Sequence, residues 1–260
     1  MQAVLNISAY LFVSLTDTLA LRESIRSQAA DRHLKGTVLL AEEGINLFLA
    51  GSAEAVRGFV AWLKLDARFA ELAPKESWSD DVPFGKLLVK VKREIIRMNH
   101  PTIRPQAGRA PAVDAKTLAR WLDAGVDDDG RPVVTLDTRN AFEVGYGKFQ
   151  NAIDWNITKF TEFPAQVQAH RDEFKGKRVV SYCTGGIRCE KAAIYMTEAG
   201  IDNVVQLEGG ILKYFEEVGG QHYEGGCFVF DERESLDPAL TPLATPQAQV
   251  QAFSAPSTSE

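Results

Sequence analysis

Arg178-Val179-Val180-Ser181-Tyr182-Cys183-Thr184-Gly185-Gly186-Ile187-Arg188-Cys189 is the stretch that decides the fold. An apolar, β-branched run ends on a cysteine, a Gly-Gly loop follows, and a helical pattern opens at residue 189. Strand, tight loop and helix in that order put Cys183 at the carboxyl end of a strand, where open α/β sheets bind their ligands. The same alternation extends both ways. Helical patterns cover 115–124, 166–174, 189–199 and 211–218, and strand patterns cover 133–136, 152–155 and 204–207. The fold class is therefore α/β, with a parallel sheet flanked by helices over 113–225 and its core over 129–223.

The loop gives the thiol a reason to react. Backbone N–H groups of Thr184, Gly185, Gly186 and Ile187 and of the next helix's first turn point inward and stabilise an anion. Arg188, expected at the rim, adds a full positive charge that lowers the thiol pKa further. The competing reading is an inert cysteine in an ordinary strand-to-helix turn. Cys189 has two readings, a resolving thiol for Cys183 or a small residue packed under the loop. Asp137 and Arg139, at the end of the 133–136 strand, read as an ion pair bracing the loop. Cys227 reads as structural, and His222 and Tyr223 as rim or packing residues.

Upstream, the first hundred residues form a second pattern. Strands are expected over 5–15, 37–41, 45–50 and 87–96, with helices from Asp17 or Thr18 and from Ser52, both good capping residues. The order βαββαβ predicts a ferredoxin-like or acylphosphatase-like α+β sandwich over 1–98. Three prolines within 99–112 mark a linker. Residues 226–240 read as a C-terminal extension, and the Pro/Ala/Gln/Ser/Thr-rich stretch 241–260 as a disordered tail.

With 260 residues, 45% of them hydrophobic and 25% charged, the chain suits two soluble domains. No apolar run is long enough for a membrane span, and no cationic segment precedes an apolar one at the N-terminus. Three cysteines without repeated spacing fit a reducing, cytoplasmic compartment. No Cys-x-x-Cys pair, facial His/carboxylate set or dinucleotide fingerprint marks a metal or cofactor site. Net charge is −6, yet Lys86, Lys90, Lys92, Arg93, Arg97, Arg104 and Arg109 are opposed locally by Glu94 alone. Such a stripe can hold a polyanion despite the global sign, and Lys90, Lys92, Arg93 and Arg97 are its RNA-binding candidates. The competing reading is a solvated strand face. Tyr10, Phe12 and Phe48 offer stacking surfaces to an unpaired base, with core packing as the alternative.

Residues 183–188 match the Cys-x-x-Gly-x-Arg loop of the rhodanese superfamily, which the chain resembles. Asp137-Thr138-Arg139 and Leu207-Glu208-Gly209-Gly210-Ile211 match its other signatures. The resemblance implies a persulfide-capable Cys183, with Arg188 binding an anionic donor or acceptor. Cysteine phosphatases and arsenate reductases use a related loop, but with a preceding His and five intervening residues; here Tyr182 precedes and four intervene. More narrowly, GTVLLAEEGIN (36–46), VKREII (91–96), CTGGIRCEK (183–191) and CFVFD (227–231) are similar to the bacterial tRNA uridine hydroxylase family. That resemblance covers residues 4–240. It implies an N-terminal ferredoxin-like domain, a tRNA substrate, and oxygen-dependent 5-hydroxylation of the wobble uridine with molecular oxygen as co-substrate. No membrane association and no protein partner is evident in the sequence. Longer members carry a cysteine-rich C-terminal segment where this chain has a cysteine-free tail. A thiosulfate-type sulfurtransferase and a non-catalytic regulatory module are the alternatives.

Overall fold

The computed structural model describes residues 3–243 and shows two α/β units in contact. The first contains β1 (Val4–Phe12), α1 (Thr18–Asp31), β2 (Lys35–Ala41), β3 (Gly44–Gly51), α2 (Ala53–Leu63), β4 (Lys75–Ser79) and β5 (Leu87–Val91). Its sheet runs in the order β4-β1-β3-β2-β5. Period-2 alternation sends Leu5, Ile7, Val38, Leu40, Leu47 and Leu49 to one face, where Ile25, Ala29, Val56 and Phe59 of the two helices close a core. Ser52 caps α2, its hydroxyl accepting from the Ala55 N–H at 3.2 Å.

The opposite face is left open. Cross-strand neighbours project to the same side, so two rows of side chains cross it. One row is Tyr10, Asn46, Leu39 and Lys90, and the other is Ser8, Phe48, Thr37 and Leu88.

The strand expected over 87–96 needs two corrections. The strand that completes the βαββαβ sandwich is β4, paired antiparallel to β1, whereas Leu87–Val91 adds to β2 in parallel as a fifth strand. The sequence Lys-Glu-Ser-Trp-Ser lies on an edge, with Trp78 exposed, and so carries no buried apolar stripe to read. β5 stops at Val91 because the chain then turns along the second unit. There the Ile95 N–H finds the Glu43 carboxylate at 2.7 Å in place of a strand partner.

The second unit contains β6 (Ala112–Val113), α3 (Ala115–Ala124), β7 (Val133–Asp137), α4 (Ala141–Val144), β8 (Gly147–Phe149), α5 (Phe163–His170), β9 (Arg178–Tyr182), α6 (Ile187–Glu198), β10 (Val204–Leu207) and α7 (Gly210–Val218). Three short strands follow, β11 (Tyr223–Gly225), β12 (Cys227–Phe228) and β13 (Ser235–Leu236). The main sheet is parallel, in the order β6-β10-β9-β7. Helices α3 and α7 bury one face, and α5 and α6 the other. The strand expected over 152–155 is reduced to a single bridge between Ile153 and Leu136.

The proline-rich stretch 99–112 is packed onto the second unit. Ile103 is buried among its core residues, and the Thr102 hydroxyl donates to Glu198 at 3.0 Å. Residues 226–240 return to the first unit: Arg233 Nη1 donates to Ser77 Oγ at 2.8 Å and the Glu232 N–H to the Pro83 carbonyl at 3.1 Å. Of the stretch 241–260 expected as a disordered tail, residues 241–243 are placed against the second unit, the Leu243 N–H bonding the Ser235 carbonyl at 2.9 Å, and residues 244–260 lie outside the described ones. Among the described residues no helix is long and apolar enough to cross a membrane.

Candidate active site

Cys183 follows the last residue of β9, and the chain turns through Thr184-Gly185-Gly186 into α6. Gly186 sits at φ 98°, and a Cβ there would lie 2.9 Å from the Tyr10 hydroxyl, so this position requires glycine on both counts. Its N–H donates to Cys183 Sγ at 3.1 Å. From behind, the start of α7 grips the loop: the N–H groups of Ile211 and Leu212 donate to the carbonyls of Cys183 and Thr184 at 2.9 and 3.1 Å. A Cβ on Gly210 would stand 2.4 Å from the Cys183 carbonyl, which explains the Gly-Gly of the 207–211 turn.

Burial alone would raise the Cys183 pKa. It is outweighed by a hydrogen bond from the Cys189 thiol, the Arg188 charge and the N–H groups of Arg188 and Gly186, which bring the pKa down to about 5. Cys189 moves the opposite way: burial, its bond to Cys183 and the Cys183 charge hold its proton on. The second cysteine thus stays a neutral thiol under the loop, with Thr138 Oγ1 3.7 Å from its sulfur. Burial pushes Cys227 up to about 12 within the core. Iodoacetamide should therefore alkylate Cys183 at a rate that halves near pH 5. A half-point at the ordinary thiol value of about 8.5 would show that the loop does not hold an anion.

Arg188 is not at the rim, and the expectation of a free cation there is corrected. Its guanidinium is buried under the loop and makes a bidentate pair with Glu143, at 2.5 and 2.6 Å. The first turn of α6 directs the side chain inward, onto α4. There Glu143 also accepts from the Asn140 N–H at 3.1 Å. Asp137 and Arg139 form the expected buried pair, at 2.6 to 3.2 Å, and Arg139 also reaches the Gly147 carbonyl at 2.6 Å. This ties the ends of β7 and β8 together. Tyr223 bonds the same carbonyl and His222 pairs with Asp123 at the surface, so neither faces the thiol.

Two neighbours of Cys189 escaped the sequence reading. Glu190 accepts from Tyr10 Oη at 3.1 Å, Arg109 Nε at 2.8 Å and Gln206 Nε2 at 2.9 Å. Lys191, 1% exposed, donates to Glu43 at 2.9 Å, Glu94 at 2.7 Å and the Ile96 carbonyl at 2.9 Å. The stretches 36–46, 91–96 and 183–191 therefore meet at one buried charge cluster between the two units. The available signal was the run Arg188, Glu190, Lys191 on a helix that must be buried: charges there need partners. While Glu143 of the same unit claims Arg188, the first unit supplies Tyr10 to Glu190 and Glu43 and Glu94 to Lys191.

The open face of the first sheet covers the loop and leaves a cleft of about 530 Å³. Cys183 and Arg188 lie at its floor, Phe48, Phe160 and Phe230 form walls, and Arg97 and Lys159 stand on opposite banks. Tyr10 and Phe48 thus belong to the cleft rather than to the core of their own domain. Phe12 lies outside the cleft, beside the Lys191 ammonium. Lys90, Lys92, Arg93, Arg97 and Lys159 are exposed, and none of them makes an ion pair among the described residues. Lys90 extends the row that carries Leu39 into the cleft. Lys159 was not foreseen; it lies in a loop without charge patterning. Among the described residues no group of three His, Cys, Asp or Glu is placed to hold a metal ion.

Comparison with known proteins agrees with this division. Residues 4–95 match the UPF0176 acylphosphatase like domain, and residues 116–217 match the rhodanese-like domain. A Bordetella avium protein named tRNA uridine(34) hydroxylase is 66% identical over 241 residues, covering 93% of this chain and 100% of that one. A Variovorax paradoxus protein of the same name is 65% identical over 244 residues, 94% of this chain and 93% of its own length.

Proposed function

Because the chain belongs to the tRNA uridine(34) hydroxylase family, we propose that it hydroxylates C5 of the wobble uridine of tRNA in the cytoplasm, with molecular oxygen supplying the added atom. The observation that carries this reading is a cysteine at the floor of an apolar cleft, its sulfur accepting the Gly186 N–H, with aromatic rings as walls and cations from both domains that make no ion pair among the described residues. Its volume, about 530 Å³, falls within the range of about 300–1,000 Å³ usual for ligand sites. Single-stranded RNA is held in this way, by stacking of splayed bases and by phosphate contacts.

Cys183 acts as nucleophile. Its sulfur adds to C6 of the uracil, the S–C6 bond forms, and the C5=C6 electron pair moves through C5 onto O4. C5 becomes the electron-rich carbon of an enolate. Transfer of one oxygen atom of O2 to C5 breaks the O–O bond and leaves the other atom to be reduced to water, which takes two protons and two electrons from an external reductant. Loss of the C5 proton and departure of the thiolate then restore the double bond. Such covalent activation splits one difficult step into easier ones. A sulfurtransferase acting on thiosulfate needs the loop alone, and the aromatic cleft contributed by a second domain has no part in it. A phosphatase reading is further weakened because Arg188 is committed to Glu143.

The basic rim tests this reading. Replacing Lys90, Lys92 and Arg97 by Ala should lower tRNA affinity and flatten the slope of log affinity against log salt by about 2 to 3, from about 0.7–0.9 per phosphate contact. Alkylation of Cys183 should be unchanged, because it needs no polyanion. In a deletion strain, the wild-type gene should restore 5-hydroxyuridine at position 34, read by nucleoside mass spectrometry. Absence of the modification with a folded wild-type protein overturns the assignment. An unaltered salt slope in the triple variant returns the stripe to a solvated strand face.

A further inference from the structure

On the reading that the cleft receives a uridine, we propose that Asn46 is a specificity-determining residue: its side-chain oxygen accepts the N3–H of the uracil and so separates uridine from cytidine. Asn46 lies in the central row of the open face, between Tyr10 and Leu39, and all three line the cleft that contains Cys183. The residue is only 6% exposed, yet its amide oxygen is not sealed off from solvent, and the cleft it lines is the opening through which a ligand can reach it.

One end has a partner. Nδ2 donates to the Ile95 carbonyl at 3.3 Å, which fixes the orientation of the amide. Were the group flipped, two oxygens would face each other at that contact. Ile95 is itself pinned, since its N–H goes to Glu43 Oε1, the carboxylate that binds Lys191. The interdomain charge cluster therefore sets the direction in which Asn46 points. The other end has none: Oδ1 accepts no hydrogen bond from any described residue and faces the cleft.

An acceptor held rigidly in an apolar cleft selects a donor. Uracil offers one, N3–H, between two carbonyl acceptors. Cytosine offers a lone pair at N3, so two acceptors would oppose each other with no water between. A site built around one such hydrogen bond discriminates because the wrong base leaves a buried group unpaired. The expected preference is on the order of 10- to 100-fold, from one neutral bond plus one orphaned acceptor.

The test uses the full chain and anticodon stem-loop RNAs that carry uridine, cytidine or 3-methyluridine at position 34. Wild type should bind the uridine loop about 10- to 100-fold more tightly than either of the others, because both lack the N3–H. Asn46→Ala, and the near-isosteric Asn46→Leu that keeps the packing, should lose affinity for the uridine loop and bind all three nearly alike. Thermal unfolding identifies which variant keeps the fold. A wild-type protein that binds uridine and 3-methyluridine loops equally overturns the inference without any variant. So does a folded variant that keeps the full preference. A wild type that neither binds the uridine loop nor restores 5-hydroxyuridine in the deletion strain instead overturns the underlying function, so the two failures are distinguishable.

Discussion

Cells whose only copy carries Cys183→Ser should contain no 5-hydroxyuridine at the wobble position, and the purified variant should unfold within about 4 °C of the parent. The size of the effect follows from the loop. Its N–H groups and the Cys189 thiol are arranged to hold a sulfur anion. A hydroxyl in the same place is neutral at any pH the protein survives. With no anion there is no addition to C6, and loss of a nucleophile costs on the order of 10⁴-fold or more in rate. Nucleoside mass spectrometry of the complemented deletion strain reads the result. Wild-type levels of the modification with the serine variant would sink the catalytic role of Cys183.

The second large effect is structural. Lys191→Met should destabilise the protein by about 3 kcal/mol, since it strands two carboxylates in an interface where the ammonium is 1% exposed. For a chain of this size that lowers the melting temperature by about 6–12 °C. Replacing Glu43 and Glu94 by Gln in the same background should recover most of the loss, because no uncompensated charge remains. The acid limb carries a further signature. Burial raises the Glu94 pKa, but Lys191 and the N–H groups of Met98 and Asn99 lower it more, so its folded value lies below the ordinary one. A depressed carboxylate contributes stability above its unfolded pKa and loses it as pH falls through the folded value. Without Lys191 the acid limb should be shallower. A melting temperature within about 2 °C of the parent, at neutral pH, would show that the cluster does not hold the domains together.

Much of this was legible in the residues. The strand-loop-helix context of Cys183 needs only local chemistry: an apolar run, two glycines, a basic residue. The βαββαβ order followed from period-2 and helical patterns, and it failed where pattern is absent, at the polar edge strand 75–79. The place of Arg188 failed for a different reason. Local spacing gives its distance from Cys183 but not its direction, and the partner that claims it, Glu143, lies 45 residues away. Lys191, Glu190 and Lys159 were missed likewise, because their roles exist only where two domains meet. Asn46 stood in a quoted motif without a role, since nothing in a strand sequence says which face another domain will cover.

The cluster around Lys191 also decides which partner deforms. Helix α6 is fastened to both domains through buried charges, and the segment 226–240 ties them again through Arg233 and Ser77. Opening the cleft by a hinge would break these contacts together, so the slot stands ready before any substrate arrives. The rearrangement then falls to the RNA, whose loop must unstack and swing a base outward. With a rigid slot, stiffly stacked anticodon loops should bind more weakly than loosely stacked ones that carry the same base, a difference that binding of stem-loop RNAs measures.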